Sequence, residues 1–192
     1  MVRLLGPRAY LVSSLFWGLG IGAVLTVPAM AWASLEPSRF FQADGKKNER
    51  YLSDGVVVGG DPVVRSVRVK EIRRAANPKF ERIVIDLEAS RADGEVTALA
   101  RAPHYQVAIN PEEKRVIYTI WGSPQLDFDA AKVVSSMKKS PLIQGVELLP
   151  VVHQDQWTFV LHLRSGAPIE VFDLTEPARI ITDIRLGRSL PK

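Results

Sequence analysis

Between residues 66 and 188 short apolar runs alternate with turn signals, the pattern of an all-β sandwich or barrel. Eight runs predict strands: 67–72 (VRVKEI), 82–88 (RIVIDLE), 105–109 (YQVAI), 115–121 (RVIYTIW), 143–151 (IQGVELLPV), 157–163 (WTFVLHL), 169–174 (IEVFDL) and 179–185 (RIITDIR). The period-2 pattern assigns their faces. Val116, Tyr118 and Ile120 share one side, as do Ile180, Thr182 and Ile184; the opposite sides hold Ile117, Thr119 and Trp121, and Ile181, Asp183 and Arg185. Ile83, Ile85 and Leu87 correspond to Phe159, Leu161 and Leu163, leaving Asp86 and His162 on the other side. One apolar and one mixed face per sheet suit two packed antiparallel sheets.

The eight runs read better as four, repeated. A shift of 64 positions carries Val107, Glu112, Arg115, Ile117 and Ile120 onto Val171, Glu176, Arg179, Ile181 and Ile184. A shift of 76 carries Glu71, Val84 and Leu87 onto Glu147, Val160 and Leu163, and an extra loop over 89–103 absorbs the difference of 12. The expected architecture is a sandwich of two pseudo-symmetric four-stranded sheets, because a sheet with a single apolar face must bury it and its duplicate offers a matching surface. Between the halves a helix is expected over 129–139. Asp127 or Asp129 caps it, Ala130, Val133, Val134 and Met137 fall on one face, and Pro141 ends it. That apolar stripe is expected to plug an open end of the sandwich.

The flanking sequence differs. Residues 34–65 carry few periodic apolar positions and several Gly and charged clusters, which predicts a flexible polar tether; Phe40, Phe41, Tyr51 and Val56-Val57-Val58 are exceptions able to dock on the body. Residues 1–33 have Arg3 and Arg8 ahead of an uncharged run, 11–27, then Pro28 and small residues at Ala29, Ala31 and Ala33. This is the pattern of a secretory signal peptide, cut after Ala33 or after Ala31. The alternative is an uncleaved signal anchor, since 10–33 is long enough to span a bilayer at roughly 20 residues. Either way the remainder is expected to be exported to the periplasm or cell envelope, touching a membrane only through that N-terminal segment if it stays uncleaved.

Composition narrows the chemistry. The 192 residues are 46% hydrophobic and 24% charged, inside the globular range, with no Cys and three His. A disulfide framework, a thiolate metal site and a cysteine nucleophile are thereby excluded. The formal charge is +4; without a leader holding two arginines and no acid, 23 basic residues face 21 acidic ones, about +2. Nucleic-acid binding calls for a stronger basic footprint, so no nucleic-acid partner is expected.

FDLTEPARIITDI (172–184) resembles the closing motif of AMIN domains, in which a proline–arginine corner leads into an apolar strand containing aspartate. AINPEEKRVIYTI (108–120) echoes it, and VRVKEIRRAANPKFERIVIDLE (67–88) resembles an AMIN opening hairpin. Ala178 departs from the proline that the family often places beside the arginine. The resemblance implies two symmetric four-stranded sheets and a non-catalytic domain that binds peptidoglycan or localises to an envelope assembly site, as on cell-wall amidases and pilus secretins. No zinc-hydrolase segment follows residue 188, so the targeting part alone is expected.

Candidate chemistry is sparse. His104, His153 and His162 lie in different elements without metal-ligand pairing, and no G-x-S-x-G is present, so neither a metal nor another cofactor is expected. Asp86, Glu88, Asp173 and Asp183 are strand carboxylates; if they converged, a small glycan-active enzyme would be the alternative. The candidate ligand-binding residues are Arg73, Arg74, Lys79 and Arg82 on the hairpin 72–83, suited to the carboxylates or phosphates of envelope polymers. Exposed Trp121 or Trp157 would stack on sugar rings. The competing readings are a solvated hairpin for the arginines and a packing role for Trp157. Arg115 and Arg179 recur at equivalent positions and are expected to fix turns. A third function class is a protein-interaction subunit of a secretin, pilus or division complex, whose sheet edge accepts a partner strand.

Overall fold

The computed structural model describes residues 39–90, 96–149 and 155–186. The export segment expected over 1–33 lies outside them, as does His153. Among the described residues no helix is long and apolar enough to cross a membrane.

The class is all-β. The strands are β1 (Phe40–Gln42), β2 (Gly55–Gly59), β3 (Val67–Ala76), β4 (Phe80–Ser90), β5 (Val96–Ala98), β6 (Tyr105–Asn110), β7 (Arg115–Trp121), β8 (Gln125–Leu126), β9 (Ile143–Leu148), β10 (Gln156–Leu163), β11 (Ile169–Leu174) and β12 (Arg179–Arg185). One helix, α1 (Ala130–Lys138), separates β8 from β9. The first sheet has the order β1-β2-β6-β7-β10-β9; the second has β11-β12-β4-β3-β8, with β5 paired to β4. Two corrections follow. Each sheet has six strands, not four, and each draws on both halves of the chain, whereas a sheet per half was expected. The physical reason is that β7 pairs with β10 and β12 with β4, so a strand from each half completes the other's sheet.

Alternation places the core as expected. Val116, Tyr118 and Ile120 of β7 and Phe159 and Leu161 of β10 face Ile83, Ile85 and Leu87 of β4 and Ile180 and Ile184 of β12 in one buried cluster. Stacked rings anchor it: Tyr118 lies 4.3 Å from Phe159 at 4°, and Phe159 lies 5.0 Å from Trp157. Such pairs add about 0.5–1.5 kcal/mol beyond their burial. Asp129 caps α1 by accepting the Lys132 amide at 3.0 Å, and Val133 and Met137 are its buried residues. Because α1 touches β3 of one sheet and β9 of the other, it covers one end of the core.

The tether expectation is corrected as well. Within 39–65, β1 and β2 extend the first sheet, with Val56 and Val57 buried, and β2 pairs antiparallel with β6. Gly59 lies so close to the Tyr105 ring that a side chain there would collide with it. Residues 43–52 then form a strap along β11. Asp173 donates its amide to Asp44 at 3.1 Å, and Leu52 and Ile169 exchange backbone hydrogen bonds at 2.8 Å. An edge strand with open backbone groups attracts such cover.

Candidate functional site

Strand register decides what lies on the outer face of the second sheet. Glu170 of β11 stands opposite Asp183 of β12, and Asp183 stands opposite Arg82 of β4. Two positions along, Phe172, Ile181 and Val84 form a buried apolar row. Beyond it, Leu174 stands opposite Arg179, and Arg179 opposite Asp86. An apolar row between two ionic rows is thus built into β11, β12 and β4.

The first ionic row is buried. Glu170 is 1% exposed and Asp183 0%, so two carboxylates sit side by side away from water. Like charges directly opposite are destabilising unless a cation intervenes. Arg82 supplies one, its Nε 2.6 Å from Asp183 Oδ1 and its Nη2 2.8 Å from Oδ2. Lys47 of the strap supplies the other, with Nζ donating to Asp183 Oδ2 at 2.6 Å, Glu170 Oε2 at 3.0 Å and the Tyr51 hydroxyl at 3.2 Å. Glu170 Oε1 accepts the backbone amides of Asn48 and Glu49 at 2.8 and 2.6 Å. Burial alone would lower the Lys47 pKa, but the hydrogen bonds to Asp183, Glu170 and Tyr51 carry it above the ordinary lysine value. The mixed face of the second sheet therefore holds, at this end, a charge-balanced cluster whose two carboxylates are buried.

Through Lys47 the cluster borders a cavity of about 630 Å³ between the strap, the β3–β4 turn and the end of β12. Tyr51 and Phe80 line it, together with Lys47, Lys79, Arg185 and Glu49. The rings hold cations against their faces: Lys47 Nζ lies 4.3 Å from the Phe80 centroid, and the Arg185 guanidinium 4.2 Å from that of Tyr51. The turn is pinned in place, since Asn77 Oδ1 accepts the Lys79 amide at 3.0 Å and the Lys79 carbonyl accepts the Leu186 amide at 3.1 Å. Among the described residues, neither Lys79 nor Arg185 forms an ion pair.

The residues singled out in the sequence are not assembled as one patch. Lys79 lines this cavity, whereas Arg82 is outside its lining and paired with Asp183. Arg73 is turned to Asp86, its Nε 2.7 Å from Oδ2, and Asp86 also accepts from Arg179 Nε at 2.7 Å. Burial would raise the Asp86 pKa, yet Arg73 and Arg179 hold it below the usual carboxylate range. Arg74 points inward, with Nη1 2.5 Å from Glu81 Oε1 and Nε 3.1 Å from the Ser136 carbonyl; Ser140 donates to the other Glu81 oxygen. This network ties the end of α1 to the second sheet. Three of the four basic residues thus have carboxylate partners within the fold, and Lys79 alone of them lines the cavity. The reading of Trp157 as exposed is corrected: it is 0% exposed, its Nε1 donating to the Leu149 carbonyl at 2.6 Å. Its parity with Phe159 and Leu161 already carried that signal.

The strand carboxylates do not converge. Glu88 pairs with Lys70 at 2.5 Å, and Asp173 accepts the Tyr105 hydroxyl at 3.0 Å. Burial pushes the Asp173 carboxyl up, the Tyr105 bond partly opposing it. Arg115 pairs with Glu113 at the β6–β7 turn, whereas Arg179 reaches across strands instead of fixing its own turn. Among the described residues, no three His, Cys, Asp or Glu side chains gather as metal ligands would. Sequence reading missed Lys47, Tyr51 and Arg185, because only the strap's docking brings them to Phe80 and Lys79.

Comparison with known proteins matches the chain to no family, no curated protein and no solved structure.

Proposed function

We propose that this chain is an exported, non-catalytic binding domain of the cell envelope, of the AMIN type, which holds to peptidoglycan or to an envelope assembly site. One observation carries the reading. The order β6-β7-β10-β9 in one sheet becomes β11-β12-β4-β3 in the other when each strand is exchanged for its counterpart in the sequence repeat. That reciprocal exchange is what two pseudo-symmetric four-stranded units produce, with β1, β2, β5 and β8 as additions at their margins. The hold of Arg73 and Arg179 on Asp86 and of Arg82 on Asp183 supports recognition over hydrolysis, because a carboxylate held by arginines is a poor proton donor. The leader-like pattern over 1–33 supports export.

Pelleting with purified peptidoglycan sacculi, with muropeptide analysis of the supernatant, tests the reading. The protein is expected to sediment with sacculi at low salt and to release no muropeptides. Protein that stays in the supernatant overturns wall binding and points to a protein partner. Release of muropeptides that stops with Asp86→Asn or Asp183→Asn points to an enzyme.

A further inference from the structure

We propose that the cavity between the strap and the β3–β4 turn is a binding site for an oxyanion, a carboxylate or a phosphate, carried on a small ligand with a hydrocarbon portion. A cavity of about 630 Å³ falls in the range that encloses small molecules, which are held mainly by apolar walls and oriented by a few charged groups. Pro78, Pro168 and the Phe80 ring supply apolar wall, and Lys79 and Arg185 supply the charged groups.

The charge balance selects the sign of the ligand. Lys47, which lines the cavity, and its neighbour Arg82 are neutralised by Glu170 and Asp183. That leaves Lys79 and Arg185 facing one carboxylate, Glu49, so the lining keeps an excess of positive charge. The two cations are also positioned before any ligand arrives. The Arg185 guanidinium is stacked on Tyr51, and Lys79 sits on a turn closed by the Asn77 side chain and by the Leu186 amide. A stacked guanidinium loses little further freedom on binding, and its edge offers paired donors to an oxyanion. Lys47 is held in the cavity wall as well, because its ammonium bridges the buried carboxylates of Asp183 and Glu170.

Titration of the full chain by NMR and calorimetry tests the site. The probes are inorganic phosphate, glucose 1-phosphate, N-acetyl-alanyl-alanine and the C-terminal amide of that dipeptide. Saturable shifts at the Tyr51, Lys79 and Arg185 amides are expected with an acid or a phosphate, and none with the amide. Response to the dipeptide acid alone identifies a carboxylate ligand; response to the phosphates alone identifies a phosphate ligand. The double variant Lys79→Ala/Arg185→Gln is expected to weaken binding at least about tenfold, and Glu49→Gln to tighten it about two- to fivefold. Lys138→Ala/Lys139→Ala, at the C-terminal end of α1 and outside the cavity lining, is expected to leave affinity unchanged. Lys79→Glu alone, at an exposed turn position, repeats the test without disturbing the Arg185 stack. The inference is overturned if no probe gives saturable shifts, if the amide binds as well as the acid, or if the folded charge variants bind like the parent. It does not depend on the envelope reading: probe binding without sedimentation on sacculi keeps the site and discards the wall, and sedimentation without probe binding does the reverse.

Discussion

Replacing Lys47 by methionine keeps the aliphatic stem and removes the charge that separates two buried carboxylates. Its Nζ makes hydrogen bonds of 2.6 and 3.0 Å to Asp183 and Glu170. Removing one partner of a buried pair costs about 3–5 kcal/mol, since the remaining charge is left uncompensated. Here Asp183 retains both Arg82 contacts and Glu170 retains two backbone amides, while the Lys47 side chain is 30% exposed. The expected loss is therefore at the lower end, about 3 kcal/mol, or about 6–12 °C in Tm for a chain of this length. Thermal unfolding followed by circular dichroism at pH 7 measures it, with Lys46→Met, an exposed neighbour, as the reference. Adding Glu170→Gln to Lys47→Met is expected to recover part of the loss, because one of the two facing acids is gone. The pH dependence has a definite sign. The Lys47 pKa is raised in the folded state, so its contribution is fully present below the ordinary lysine value of 10.5 and is lost as pH climbs through the raised one. Parent and Lys47→Met should then differ least in strong alkali. A Tm change under about 2 °C at pH 7, no larger than that of Lys46→Met, would refute the view that the strap is held by this cluster.

Three further outcomes concern Asp86 on the outer face and the Tyr105–Asp173 pair on the inner one. The Asp86 pKa lies below its ordinary value in the fold, so its contribution is present above that value and disappears as pH falls through the lowered one; Asp86→Asn should flatten the stability curve below about pH 4, as acid denaturation monitored by fluorescence would report. Asp173 behaves in the opposite sense. Its raised pKa means that the folded state favours the neutral acid and that stability falls as pH rises through the shifted value. Asp173→Asn should therefore hold or raise Tm at pH 7, whereas Tyr105→Phe, which removes the hydroxyl donor, should cost about 1 kcal/mol.

Much of the fold was legible because its main strands carry their instructions locally. The runs at 105–109, 115–121, 157–163, 169–174 and 179–185 each show an apolar alternation, and each appears as a strand within one residue of its expected ends. The helix was equally plain, from Asp129 at its start to Pro141 beyond its end. The strands that escaped notice are short: β1, β5 and β8 have three, three and two residues. Such lengths carry no period, and these strands exist because a longer neighbour offers an edge. Val56-Val57-Val58 was noticed as apolar, but a run between glycines does not announce which strand it will join. For Trp157 the sequence left stacking on a sugar and packing in the fold as competing readings, and the strand parity it shares with Phe159 and Leu161 decides for packing.

The candidate site was less legible because it arises from register. Arg82 and Asp183 are separated by 101 positions, and Lys47 and Asp183 by 136. Nothing local in a hairpin containing Arg73, Arg74, Lys79 and Arg82 says which of these cations will meet a carboxylate. That is decided when Ile83 and Ile85 turn inward, which sends Arg82, Val84 and Asp86 outward, and when β12 pairs so that Asp183 meets Arg82 and Arg179 meets Asp86. The same register puts Glu170 beside Asp183 and creates a buried excess of negative charge that strands alone leave unbalanced. Lys47 balances it, and in docking there the strap brings Tyr51 against Arg185 and sets the wall of the cavity. Packing of the inner face thus selects, through strand pairing, which cations on the outer face are consumed and which, Lys79 and Arg185, are left to meet a ligand.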